Sequence, residues 1–404
     1  MSLDQRLFVT RTQAMEALFS KWSPEKRTQG IPIQESLGRV TSIDVYSKNT
    51  LPVYRSSKCD GIAVRSKDFE EGIPDTKDWT KGIDFVQADT GDDFDDEFDA
   101  VIPIENVSYD GEGRVELSSK INLVPGARIK NKGETVVEGD LLVKAHTVLQ
   151  PPHLCVLATG GYEQVEVYDR PKVAYIPTGS ELVPLGSKAN RGQNIESNGI
   201  MVQSTIEEWG GELITYPIVK DHVESLRETL MEAISMADMV IINGGSAKGE
   251  EDYNARLLEE ESSWIQHGIF CVPGRPAALA MIQDKPVINM PGPPLACFSV
   301  LDWCIIPMVR RFLQLPAPIR PKLKAVLQDE INKPEPYEFY GRIELKREAD
   351  KFVAHVLSFD YNFPDMMSRC NGLFIAPIGK GKFIPGEEIL VELLCGEEFI
   401  PVNK

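Results

Sequence analysis

Asp238-Met239-Val240-Ile241-Ile242-Asn243-Gly244-Gly245-Ser246-Ala247-Lys248-Gly249-Glu250-Glu251-Asp252-Tyr253 reads as a strand that runs directly into a glycine loop. An unbroken apolar run bounded by turn residues is the pattern of a strand covered on both faces. The surrounding chain repeats it in alternation with helical spacing. Strand-like Lys172–Ile176, Glu212–Ile218, Gly268–Val272 and Pro286–Met290 are separated by helix-like Asn198–Trp209, His222–Met236, Asn254–Glu260 and Leu295–Leu313. This alternation predicts a parallel sheet flanked by helices, an α/β domain over residues 170–315. Asp221 with Glu224 just before Leu226, Leu230 and Ile234 predicts the N-cap of one of these helices.

Outward from that domain the pattern changes. Residues 316–404 begin with Pro316, Pro318 and Pro321 and continue as short alternating runs (Lys322–Leu327, Arg342–Leu345, Val353–Leu357, Ile389–Leu393), which predicts a small C-terminal β-barrel or sandwich. On the other side, residues 45–145 are rich in Val, Ile, Gly and Asp and predict a β-rich insertion domain. It interrupts a small helical N-terminal segment, residues 1–44, which residues 146–169 complete with the apolar run after Pro151 and Pro152. The fold class is therefore α/β plus β, multidomain, as a chain of 404 residues requires.

Charge removes several function classes. With 43 Lys and Arg against 61 Asp and Glu the net charge is −18, which opposes broad binding to nucleic acid or to anionic membrane, so a polyanionic ligand needs a locally positive pocket. The 7 cysteines contain no CxxC and are widely spaced, and the 5 histidines include no i, i+4 pair; neither a disulfide framework nor a zinc site is expected. Met1 to Thr10 carries no apolar run of signal-peptide length, and Val287 to Val309 is broken by prolines, Gly292 and Asp302. A cytoplasmic location is expected.

In a parallel α/β sheet, ligands bind where strand ends turn toward helix N-termini. Three segments stand at such ends: Pro177-Thr178-Gly179-Ser180-Glu181, the loop Asn243–Tyr253, and Pro291-Gly292-Pro293-Pro294. Gly244, Gly245 and Gly249 let the backbone N–H groups approach an anion, Lys248 adds positive charge, and Asp252 is able to bind a cation. A phosphate-bearing ligand held with Mg²⁺ suits that set. Against this stands a plain turn capped by Ser246 or Asp252; three coincident loops favour a site. Residue type alone favours a solvated loop acid for Glu181, a turn aspartate for Asp60, a packing residue for Cys59 and a solvated loop for the acidic run Asp92–Asp99.

These segments, with others, resemble the MoeA family of molybdopterin molybdenumtransferases, which includes the gephyrin E domain. Leu51–Val64 is similar to L-P-x-F-D-N-S-A-M-D-G-Y-A-V, whose second aspartate falls on Asp60. Thr90-Gly91 with Asp99–Ile102 and Glu105 resembles T-G-A-x-x-P-x-G-A-D-A-V-V and its trailing glutamate. Pro125–Thr135 resembles P-G-x-N-x-R-x-x-G-E-D, Thr178–Leu182 resembles T-G-D-E-L, and Gly192–Asn198 resembles G-Q-I-x-D-S-N. The glycine loop resembles S-G-G-V-S-V-G-x-x-D-Y, while Pro273–Pro276 and Pro291–Pro294 resemble K-P-G-K-P and L-P-G-N-P.

The resemblance implies a four-part elongated subunit with a MogA-like α/β domain, in a homodimer whose active site lies between that domain and the partner's β-rich insertion. It implies that molybdate replaces AMP on adenylylated molybdopterin with Mg²⁺ present. Asp60, Glu181 and Asp252 take the catalytic roles, with Glu181 and Asp252 at the metal. Thr90, Ser197, Asn198, Gly244, Gly245, Ser246, Lys248, Gly249, Arg275, Pro291 and Gly292 bind substrate. A MogA-like adenylyltransferase and acceptor apo-enzymes are the implied partners.

Six departures from the pattern bear on the chemistry. Arg55 and Thr135 stand where the family has aspartates, Ala247 where it has serine, Val272 and Arg275 where it has lysines, and Pro293 where it has asparagine. Arg for Lys keeps charge but changes geometry, and Val keeps nothing of it. Two readings follow: an active transferase in which Arg55, Lys248 and Arg275 relocate the missing positive charge, or an impaired paralogue that binds molybdopterin or its nucleotide for storage, delivery or regulation.

Overall fold

The computed structural model describes residues 8–244, 253–357 and 363–402. The chain forms two compact units, Met1–Arg27 with Asp169–Lys404, and Thr28–Tyr168. The helix Arg11–Lys21 falls in the first and the helix Pro151–Thr159 in the second. No described helix is long and apolar enough to cross a membrane.

The first unit is built on a sheet of six strands, ordered Glu212–Thr215, Lys172–Pro177, Met239–Asn243, Lys285–Met290, Ala278–Ile282, Trp264–His267. The first four are parallel, as the alternating pattern predicts. One face packs Ile176, Val240 and Ile242 against Leu226, Leu230 and Ile234 of the helix Val223–Met236 and against Leu257 and Leu258 of the helix Tyr253–Glu261. Each such side chain contributes about 1.5–3 kcal/mol by leaving water.

Four features differ from the sequence expectation. Gly268–Val272, expected in the parallel sheet, contributes only the short strand Cys271–Val272, which pairs with Glu338–Phe339 outside that sheet. The last two strands are antiparallel additions, joined to Lys285–Met290 by the two-residue turn Gln283-Asp284, both at positive φ (48° and 61°). That is the hairpin turn whose twist matches the strands, here without the Asn-Gly or Asp-Gly that ordinarily announces it. Residues 295–313 are not one regular helix: Pro294–Val300 and Ile306–Phe312 flank a π-helical turn, Leu301–Ile305. The N-cap of Val223–Met236 is His222, whose Nδ1 accepts from Ser225 N at 3.4 Å, rather than Asp221, whose carboxylate is used elsewhere.

Beyond the prolines the same unit closes a five-stranded barrel. Glu338–Glu348, Lys351–Val356, Lys322–Leu327, Glu388–Leu393 and Gly372–Ala376 pair in sequence, and the last returns to the first. Closure leaves no free sheet edge, and Ile343, Leu345, Val391 and Leu327 fill the interior. The short strand Cys271–Val272 adds in parallel to Glu338–Phe339, so the barrel seats the turn that follows it.

The second unit is β-rich, with the strand Gly61–Val64 between Phe85–Ala88 and Ala100–Pro103, all antiparallel. Gly61 is required there by space: a Cβ would lie 1.9 Å from the Ile102 carbonyl oxygen, a backbone atom held by the sheet. Gly61→Ala is expected to cost about 1–3 kcal/mol or more by forcing strands apart. Urea unfolding of the variant measures this, and an unchanged midpoint contradicts it.

Candidate functional site

Pro177, Asn243 and Met290 are in register as the last residues of adjacent parallel strands, so the three following turns leave the sheet side by side. Of the residues expected here, Gly245, Ser246, Lys248, Gly249 and Asp252 lie outside the described residues. Gly244, Pro291, Gly292, Ser197, Asn198 and Glu181 are described.

A buried carboxamide ties the turns together. Asn243, 3% exposed, donates through Nδ2 to Pro291 O (3.0 Å) and Met290 O (3.3 Å). Its Oδ1 accepts from Asn198 Nδ2 at 2.8 Å, and Asn198 Nδ2 also donates to Gly292 O at 2.8 Å. Asn198 opens the helix Asn198–Glu208, so this helix N-terminus and the Pro291-Gly292 turn are fixed to one strand end. Ser197, at the N-cap, leaves its hydroxyl exposed and uncommitted to the cap.

Gly244 is dictated by its surroundings. Its φ is +120°, and a Cβ would lie 2.3 Å from Thr178 O, so the backbone passes directly over the neighbouring turn. Asn254 Nδ2 donates to Gly244 O at 2.9 Å and to Thr178 Oγ1 at 3.2 Å, holding the far side. Glu181 is exposed and folds its carboxylate back over Gly179, with Oε2 2.7 Å from where a Cβ would stand. The same turn is braced by Asp221, which accepts from Ser180 N at 3.0 Å, while Asp221 N donates to Ser180 Oγ at 3.2 Å.

Sequence reading did not single out Tyr175 or Asp221 as part of this region, and it gave Asn243, Asn254 and Glu196 no role of their own there. Their signal was available only as polar residues within or beside buried runs. Arg275 is half-buried on the turn after Cys271–Val272. Behind that turn the Trp303 indole Nε1 is buried without a hydrogen-bond partner, 4.0 Å from where a Cβ on Gly274 would stand. A cavity of about 870 Å³ lies along the edge strand, lined by Ile214, Tyr216, Lys220, Glu232 and Met236; it contains none of the expected site residues. Among the described residues no group of three or more His, Cys, Asp and Glu side chains is placed to hold a metal ion.

Asp60 and Thr90 lie in the second unit and meet there. Asp60 Oδ1 accepts from Thr90 N at 2.7 Å and from Thr90 Oγ1 at 2.8 Å. The backbone donor first and the hydroxyl second hold this exposed carboxyl below the usual range, so it is ionised over a wider span of pH. Arg55 is bonded within its own unit. Its Nε donates to Asp96 Oδ1 at 3.0 Å and its Nη2 to Phe98 O at 3.2 Å, which pins the acidic run to its own unit. Asp99, at the end of that run, accepts from Ser66 N at 2.6 Å and Ser66 Oγ at 2.7 Å. Cys59 is half-buried, and burial raises its thiol pKa, as befits a packing residue.

Comparison with known proteins adds to this geometry. Residues 9–161 match the family described as "MoeA N-terminal region (domain I and II)", and residues 174–311 match "Probable molybdopterin binding domain". The chain is 25% identical over 419 residues to a molybdopterin molybdenumtransferase of Staphylococcus epidermidis, covering 99% of both. It is 27% identical to that of Haemophilus influenzae, over 84% of this chain and 83% of the relative. The crystal structure of a molybdopterin biosynthesis MoeA protein from Pyrococcus horikoshii superposes with a TM-score of 0.80 at 28% identity, covering 96% of this chain and 100% of that one.

The Asp60–Thr90 pair generates a pH prediction. A carboxyl whose folded pKa is lowered adds stability above its unfolded pKa and loses it as pH falls through the folded value. Thr90→Val removes the hydroxyl donor and keeps the backbone one, so the Asp60 pKa is expected to rise part of the way toward that of a free aspartate. A carbon-detected NMR titration of the Asp60 carboxyl reads this, and an unmoved midpoint contradicts it.

Proposed function

The chain belongs to the MoeA family, and on that premise we propose that it is an active molybdopterin molybdenumtransferase, which exchanges AMP for molybdate on adenylylated molybdopterin in molybdenum cofactor biosynthesis. The observation that carries the reading is the convergence of the Pro291-Gly292 turn and the Asn198 helix N-terminus on the Asn243 carboxamide, at the strand end that leads into Gly244. Backbone N–H groups at such a junction favour a phosphate ester, and they act locally despite the acidic surface.

The roles assigned to side chains follow the same chemistry. Asn198, Ser197, Gly244, Pro291 and Gly292 are assigned to the pterin nucleotide, together with Gly245, Ser246, Lys248 and Gly249 of the same loop. Arg275 supplies positive charge for an oxyanion, and the unpartnered Trp303 indole N–H supports an anion near that turn. Asp60, held ionised by its two bonds from Thr90, is assigned a catalytic role with Glu181 and Asp252. Glu181 and Asp252 offer the oxygen donors suited to Mg²⁺, which would neutralise phosphate charge when bound.

The wider arrangement is part of the proposal: a cytoplasmic homodimer, receiving nucleotide from a MogA-like adenylyltransferase and passing product to acceptor apo-enzymes. Its subunit has four parts, residues 1–44 with 146–169, 45–145, 170–315 and 316–404.

The test supplies adenylylated molybdopterin, Mg²⁺ and molybdate and measures AMP. Molybdate-dependent release is expected, with Glu181→Gln lowering kcat by about 100-fold or more, as the loss of an essential charged group does. Tight nucleotide binding without molybdate-dependent AMP contradicts the transferase and leaves the paralogue that only binds.

A further inference from the structure

The strand Lys172–Pro177 lies inside the sheet with neighbours on both edges, and Val173, Ala174 and Ile176 are the apolar residues such a position favours. Tyr175, 0% exposed among them, carries a hydroxyl into this interior. That hydroxyl is 2.9 Å from Glu196 Oε1 and 3.0 Å from Asn243 Oδ1. Burial and the Glu196 carboxylate keep it protonated far above the ordinary range of a tyrosine, so it is a permanent donor.

Neither acceptor depends on it alone. Glu196 Oε1 also accepts from Gly199 N at 2.9 Å, and Asn243 Oδ1 from Asn198 Nδ2 at 2.8 Å. One hydroxyl proton serves one acceptor at a time, so the hydroxyl is not there to rescue an unsatisfied group. What it does is touch both sides of a junction: the Glu196–Asn198 segment that opens a helix, and the strand end that leads into Gly244. A phenylalanine would fill the same volume without burying a polar group.

We infer that the Tyr175 hydroxyl is a positioning group for the proposed reaction, setting the Glu196–Asn198 segment against the Asn243–Gly244 and Pro291-Gly292 turns so that the pterin nucleotide meets a preformed surface. The inference rests on reading those turns as the nucleotide site. A group that shapes a binding surface acts on substrate and transition state alike, so its loss weakens binding and leaves turnover nearly intact.

Tyr175→Phe removes one oxygen and keeps the ring packing. Calorimetry with adenylylated molybdopterin is expected to show Kd raised about tenfold, with kcat for molybdate-dependent AMP release within about twofold of wild type. The thermal midpoint is expected to fall by less than about 4 °C. Glu196→Ala reproduces the weakened Kd, Glu196→Gln, which keeps an acceptor oxygen, recovers it, and the double variant Tyr175→Phe with Glu196→Ala binds no more weakly than Glu196→Ala. An unchanged Kd in Tyr175→Phe overturns the inference, as does a loss that falls on kcat. If wild type binds the nucleotide but releases no AMP, the transferase reading fails while the Kd comparison still decides this one; failure of wild type to bind overturns both.

Discussion

The candidate site depends on the pull of the buried Asn243 carboxamide, which must find partners for the polar atoms it takes out of water. Asn243 ends a strand in the middle of the sheet and meets that demand with backbone from one turn and side chains from two other elements. Turns that share one such residue cannot drift independently, because moving any of them leaves a buried group unpaired at a cost of about 1–3 kcal/mol. The close passage of Gly244 over Thr178 is a separate, steric constraint, met by the absence of a side chain.

The departures from the family pattern acquire physical meaning in this structure. Arg55, expected as relocated charge for an oxyanion, bonds Asp96 and the Phe98 carbonyl. It therefore compensates the acidic run of its own unit. Ser180, where the family has aspartate, pairs reciprocally with Asp221 from the next turn, so a carboxylate still stands beside that backbone although it comes from elsewhere. Nothing in the structure explains Pro293.

What was legible in the sequence was what local pattern encodes. Continuous apolar runs gave the parallel strands and hence the three turns at one sheet edge, and short alternating runs gave the barrel strands. The hairpin at Gln283-Asp284 was hidden because its positive φ values fall on residues other than glycine or asparagine. Asp221 looked like a cap because its spacing fits one, and only the tertiary neighbour Ser180 shows its use. The network of Tyr175, Glu196, Asn198 and Asn243 joins residues far apart in the chain, and nothing local marks a tyrosine inside a strand as a hydrogen-bonding post.

The central claim is that a pterin nucleotide sits on the turns gathered by Asn243. A crystal structure of the protein with adenylylated molybdopterin bound tests it most directly. The account predicts ligand phosphate or pterin atoms within hydrogen-bond distance of Asn198 or of the Gly244 and Gly292 backbone. Ligand found instead in the edge-strand cavity between Ile214 and Met236, with those turns untouched, would contradict it.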